Sequence, residues 1–131
     1  MTEQALSTLP REAKGPLAPP PVLDGPFQAV ADAIAAWPEV DATTHWHLCD
    51  RDRVDGIDFY VGPDKLGHIH LNGSIHLATT PELGAKLVTE DLGRPFPWAR
   101  GWTMASINRL GVDAAVALFR RNYDRLRPAI K

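Results

Sequence analysis

The 131-residue chain has one cysteine, Cys49, so an internal disulfide is excluded. No apolar run approaches the ~20 residues needed to cross a bilayer, which argues against a membrane-embedded protein. The N-terminal residues include Glu3 and lack a basic-then-apolar run. With the lone thiol, this favours a cytosolic, cytoplasmic protein over a secreted one. Cys49 reads as a small strand residue and not as a nucleophile. The chain also lacks a glycine-rich phosphate loop, a Gly-x-Ser-x-Gly elbow, a His-Glu-x-x-His helix and any internal repeat. The formal net charge of −2 gives no general attraction to nucleic acid. Charge is uneven, however: residues 94–131 hold 8 Lys/Arg against 2 Asp/Glu, and residues 1–93 hold 6 against 14. Arg120, Arg121, Arg125, Arg127 and Lys131 follow one terminal helix, where basic residues complement the helix dipole or could meet a phosphate.

Histidine is what the chain does have. All 5 fall between positions 45 and 76, and three frame the hairpin Gly67-His68-Ile69-His70-Leu71-Asn72-Gly73-Ser74-Ile75-His76-Leu77. Side chains at i and i+2 of a strand share a face, so His68 and His70 are neighbours while Ile69 and Leu71 point away. The place of His76 depends on the turn. A two-residue Asn72-Gly73 turn pairs Ile69 with His76 and puts His76 on the opposite face. A three-residue Asn72-Gly73-Ser74 loop pairs His70 with His76 and Leu71 with Ile75. Then Ile69, Leu71, Ile75 and Leu77 form one apolar face and the three histidines share the other. The hydrophobic pattern, which normally fixes register, favours the odd loop. Imidazoles there can act near neutral pH or bind a metal, or can merely line the wet face of a half-buried sheet.

Residues 1–24, with Pro10, Pro16, Pro19, Pro20 and Pro21, read as a flexible tail. Residues 25–131 then form a single α+β domain. Helical spacing of Phe27, Val30, Ala31, Ile34 and Trp37 predicts a helix from about Pro26 to Trp37, with Asp24 as N-cap and Pro38 as its end. His45-Trp46-His47-Leu48 predicts a strand, and Arg51 to Gly56 a charged turn. Ile57, Phe59 and Val61 alternate with Asp58 and Tyr60, which places Asp58 and Tyr60 on the histidine face. A second helix begins near Thr80 with Pro81 at its first position. Thr79 and Glu82 have capping-box spacing, Leu83, Leu87 and Val88 form its buried stripe, and Gly93 stops it. Pro95 to Trp98 reads as an extended loop, Gly101 to Ile107 as a strand, and Val112 to Leu126 as the last helix. The order α-β-β-β-β-α-β-α predicts a mostly antiparallel sheet of about five strands with three helices.

Gly67-His68-Ile69-His70, Ile75-His76-Leu77, the Pro97 loop, Gly101-Trp102-Thr103-Met104 and a closing helix reaching Tyr123 resemble the luciferase-domain family. The likeness runs over about residues 43–127. Fungal members carry Ala-His-Met-His, Leu-His-Leu, a His-Pro loop and Glu-Trp-Thr-Phe in the same order. By that resemblance His68, His70 and His76 match the family's histidines and Trp102 its tryptophan. The fungal spacer before the third histidine is two residues longer, which keeps hairpin parity. Phe96 stands where the family has the histidine of His-Pro, so light emission is not implied. A weaker likeness to double-wing α+β proteins associated with DNA binding bears on fold only.

The resemblance implies a small oxidoreductase-like enzyme for an aromatic or enolisable substrate, of the kind found in biosynthesis, with dioxygen as partner and no organic cofactor. His68 or His70 is then the base, tuned by Asp58 or Tyr60. His76 binds the substrate oxygen, and Trp98, Trp102 and His47 contact the substrate. The alternatives are a divalent metal on His68, His70 and His76, with Asp58 completing the set, and a non-catalytic module for a small ligand or protein. The sequence leaves a homodimer open.

Overall fold

Alternation of apolar and polar residues along residues 40–77 yields four consecutive antiparallel strands. The computed structural model describes residues 20–47, 49 and 53–127. Strands β1 (Val40–Trp46), β2 (Val54–Val61), β3 (Asp64–His70) and β4 (Ser74–Leu77) follow helix α1 (Gly25–Ala35). Helix α2 (Pro81–Thr89), strands β5 (Arg94–Pro95) and β6 (Thr103–Ser106), one-turn α3 (Ile107–Leu110) and α4 (Val112–Leu126) complete the chain. The sheet has 6 strands in the order β1-β2-β3-β4-β6-β5, all pairs antiparallel. The α+β expectation holds, with a short strand and a one-turn helix more than the sequence pattern predicted.

One face of the sheet is the core. Ile57, Phe59, Ile69, Ile75 and Leu77 are buried there with Val30, Ile34, Leu118 and Phe119 of α1 and α4. Phe59 meets Phe119 edge-on at 5.9 Å. The period-3.6 stripe of α4 explains its position, and polar latches fix its rotation. Asn122 Nδ2 donates to Leu66 O (2.9 Å) and Ala78 O (3.2 Å), and Tyr123 OH donates to Pro38 O (2.9 Å). Both residues are buried, so their polar groups need such partners.

Several local expectations are corrected. Helix α1 ends at Ala35, and Trp37 instead packs on Tyr123 at 5.0 Å. Asp24 sits at the N-cap without a side-chain bond. The cap of α2 is Thr80, whose hydroxyl accepts from Leu83 N. Thr79 is taken by Gly101 O and Thr103 Oγ1. Val88 is exposed while Leu87 is fully buried. Asp91, in the left-handed region at φ 61°, turns the chain after α2 before Gly93 is reached. Cys49 is exposed beyond the end of β1. Leu23, assigned by sequence to the tail, is buried in the core, and residues 1–19 lie outside the described residues.

Arg120, Arg121 and Arg127 of the basic terminus face Asp124, Glu90 and Glu39, and Arg125 donates to Ala78 O. Lys131 lies outside the described residues. Among the described residues no helix is long and apolar enough to cross a membrane.

Candidate active site

The hairpin register decides the site. β3 and β4 pair Gly67 with Leu77, His68 with His76 and Ile69 with Ile75. The loop is therefore odd, as the apolar pattern favoured, but it is Leu71-Asn72-Gly73, one residue earlier than expected, which shifts the pairing of β3 with β4 by two residues. Gly73 N donates to His70 O (2.9 Å) and Ser74 N to Asn72 Oδ1 (3.0 Å). Gly73 has φ 87°, and a Cβ there would lie 2.5 Å from the Phe27 ring, so glycine is required. Leu71 moves from the inner face to the exposed turn. Parity is preserved, and all three histidines share one face.

Across the sheet that face reads Asp58, His68, His76 and Met104 in one row, with His45, Gly56 and His70 in the next. Gly56 has no side chain between the two imidazoles of its row. A Cβ at Gly56 would lie 2.0 Å from Ile69 O, so the backbone there admits only glycine. The His45 and His70 rings thus approach edge-on to 5.1 Å, and His45 stacks on His68 at 3.9 Å.

Four rings and two carboxylates interlock. His76 Nδ1 lies 2.9 Å from His68 Nε2 and 3.1 Å from His70 Nε2. His70 Nδ1 is 2.9 Å from Asp55 Oδ2. Fully buried Asp58 holds Lys65 Nζ at 2.7 Å and lies 2.8 Å from His45 Nδ1 and 3.5 Å from His68 Nδ1. The two histidine contacts are misaligned: among the described residues no hydrogen bond reaches His45 Nδ1, His68 Nδ1 or Asp58 Oδ2.

Burial and mutual repulsion lower the pKa of His68, His70 and His76 and favour their neutral forms. Burial first, then His45, Lys65, His70 and His76, hold the His68 pKa well below its ordinary value. Burial lowers that of His70 against the opposing pull of Asp55. His76 is pushed down to about 4 by burial and by His70 and His45. A neutral ring carries one N–H. Asp55 fixes that N–H at Nδ1 of His70, leaving a lone pair at Nε2. The proton in the contact with His76 must then sit on His76 Nδ1, which leaves His76 Nε2 as a free base.

Above these rings the segment from Phe96 to Trp102 forms a roof. Phe96 N donates to Trp102 O and Trp102 N to Ala99 O, both at 3.0 Å, and the Thr79 hydroxyl donates to Gly101 O. Phe96 lies 4.3 Å from His76, and Trp102 lies 6.2 Å from His68. The hollow of about 330 Å³ is lined by His45, Asp55, Lys65, His68, His70 and His76 below and by Phe96, Trp98, Ala99 and Trp102 above. Trp98 hangs at the rim, 84% exposed.

The structure therefore gathers His68, His70, His76, Asp58, Trp98 and Trp102. It does not gather Tyr60 or His47. Tyr60 is buried with the Lys65 ammonium 5.0 Å over its ring and is absent from the lining of the hollow. The register shift after His45 carries His47 off the strand, where its Nδ1 accepts from Cys49 N at 3.2 Å. Sequence reasoning missed His45, Asp55 and Lys65. Asp55 had been placed in a charged turn, yet β2 begins at Val54. A strand begun at Val40 would have put Thr43 and His45 on the face of Asp58.

Fold and site together define a small α+β protein with an aromatic-roofed histidine hollow on the open face of an antiparallel sheet. Residues 64–122 match the family model described as Luciferase domain, so the resemblance read from the motifs is shown over this stretch. The match takes in His68, His70, His76, Phe96 and Trp102, and it begins after His45, Asp55 and Asp58. No curated protein and no solved structure matches the chain.

Proposed function

We propose that this chain is an enzyme for a flat, enolisable or hydroxylated aromatic small molecule, bound between the histidine rows and the Phe96–Trp102 roof. The observation that carries the reading is the hollow itself: imidazoles on its floor and aromatic faces above. Its volume of about 330 Å³ is at the small end of ligand sites. Aromatic faces favour a planar guest by stacking, and lone pairs at neutral pH favour one with a proton to give.

His76 is the base in this reading, in place of the His68 or His70 expected from sequence. It takes the hydroxyl or α-proton at Nε2. The resulting imidazolium keeps Nδ1–H directed at the Nε2 atoms of His68 and His70, whose far sides meet Asp58 and Asp55. Substrate binding expels water and makes these contacts stronger. The enolate carbon then gives its electron pair to dioxygen and a C–O bond forms. Dioxygen is reduced to the peroxide level, and the distal oxygen recovers the proton from His76, so substrate and dioxygen together become a hydroperoxide. The luciferase-domain match and the roofed hollow support this outcome.

The test is oxygen uptake by purified protein with a panel of hydroxylated pyrones and phenols. We expect turnover in the wild type and a loss of about 10²–10⁴-fold in His76→Ala, the usual contribution of a positioned base. Undiminished uptake by His76→Ala would remove this histidine from the mechanism, and no uptake with any compound would remove the oxygenase reading.

A further inference from the structure

His45 has no part in that proton path, yet it is the most elaborately placed ring of the group. It is buried, stacked on His68 at an interplanar angle of 15° and edge-on to His70 at 89°. One ring nitrogen from each of His45, His68 and His70 lies within 4.8 Å of the other two. Nitrogens bound tetrahedrally to one ion at about 2.0–2.1 Å are about 3.3–3.4 Å apart. Closure of the trio thus needs up to about 1.5 Å, with a tilt of the stacked His45 and His68 rings toward the ion.

The far nitrogens already face carboxylates, although only that of His70 is hydrogen-bonded. Nδ1 of His45 and Nδ1 of His68 face Asp58 at 2.8 and 3.5 Å, and Nδ1 of His70 faces Asp55 at 2.9 Å. Carboxylates behind the outer nitrogen are how metal-bound histidines are oriented and made more basic. Here they turn the Nε2 lone pairs of all three rings away from the acids. Charge points the same way. Two carboxylates, Asp55 and Asp58, stand behind the rings against the single ammonium of Lys65. Asp58 Oδ2 is buried with no hydrogen-bond partner among the described residues. A cation in front of the rings would polarise their N–H groups toward Asp58 and draw the misaligned contacts into line.

We propose that His45, His68 and His70 bind one divalent transition-metal ion through Nε2. Imidazole donors select the zinc, iron, copper and nickel group over magnesium or calcium. Three protein ligands leave coordination positions open toward the hollow, where an oxygen of a bound small molecule can reach. The site differs from a His68, His70 and His76 set by exchanging His76, whose Nδ1 carries a proton, for His45. A bound ion takes the Nε2 lone pairs of His68 and His70 that otherwise accept from His76 Nδ1 at 2.9 and 3.1 Å, so the metal-bound state and the proton path through His76 are alternatives.

The experiment is chelator-stripped full-length protein titrated with Zn²⁺ and Co²⁺ against a chromophoric competitor, with elemental analysis after dialysis. We expect one equivalent in the wild type and in His76→Ala, and loss of the stoichiometric ion in His45→Ala and His70→Ala. Asp55→Asn, a positioning change, should weaken binding about 10–100-fold. Circular dichroism checks each variant, and His45→Gln replaces His45→Ala if the latter unfolds. Absence of a stoichiometric ion at micromolar Zn²⁺, Co²⁺ and Fe²⁺ overturns the site, as does a full equivalent retained by both His45→Ala and His70→Ala. Metal binding without turnover leaves this site standing and removes the proton path, whereas turnover by a protein that takes up no ion does the reverse.

Discussion

β2, β3 and β4 present two faces made from alternate residues of the same strands, and the faces follow opposite physics. The inner face is Ile57, Phe59, Ile69, Ile75 and Leu77, each nearly or wholly buried under helices. The outer face is Asp58, His68, His70 and His76, buried to varying degrees under a single aromatic loop. On the first, removal of apolar area from water stabilises the fold. On the second, polar atoms are taken from water and only partly repaired: two imidazole nitrogens and a carboxylate oxygen lack hydrogen bonds among the described residues. An unpaired buried polar group costs about 1–3 kcal/mol, so the inner face must carry the outer one. A fold tolerates such a face where it has a use.

The sharpest way to break the contrast is Phe119→Ala. It opens a cavity under fully buried Phe59 and should cost about 3–5 kcal/mol, read from the urea midpoint; a loss below 1 kcal/mol would mean that the core does not carry the sheet. Asp58→Asn attacks the outer face. It removes the charge opposite Lys65 and should cost about 1–3 kcal/mol by the same assay, while an unchanged midpoint would show the ion pair to be neutral in balance.

Acidity separates the faces with no mutation. The folded-state pKa of His68, His70 and His76 is lowered, to about 4 for His76, so the unfolded chain takes up protons first. Stability of the metal-free protein should be full above the ordinary histidine pKa of about 6.5. It should fall as pH drops from there toward about 4. Melting at stepped pH checks this, and a flat profile across that window would contradict neutral burial of the rings. The smallest expected effect is Trp98→Ala at the exposed rim: stability within about 0.5 kcal/mol of wild type, with weaker binding of any aromatic guest. A large drop in melting temperature would make Trp98 structural.

Much of this was legible in the residues because it follows from period alone. The alternation from Ile57 to Val61 and from Gly67 to Leu77 identified both faces, and the stripe of α4 gave its span. The parity of the histidine hairpin could be chosen because the wrong choice would have put isoleucines in the hollow. Register was less accessible. Shifting the strand pairing by two residues, and with it the loop by one, preserves every face and moves only Leu71, so the apolar pattern cannot detect it. His45 and Asp55 were missed for a related reason: the bulge between His45 and Trp46 and the irregular backbone at Gly56 break simple alternation where the acid turns toward His70.

By itself, then, the order of residues determined which side of each strand is oily and which carries imidazole, because side-chain direction alternates with every peptide. Only the folded chain decided which imidazoles meet, which acid stands behind each and what covers them. The hollow they form is lined by residues as far apart in the chain as His45 and Trp102. Their geometry comes from strand order, a bulge and a pinned loop, and no local pattern encodes any of the three.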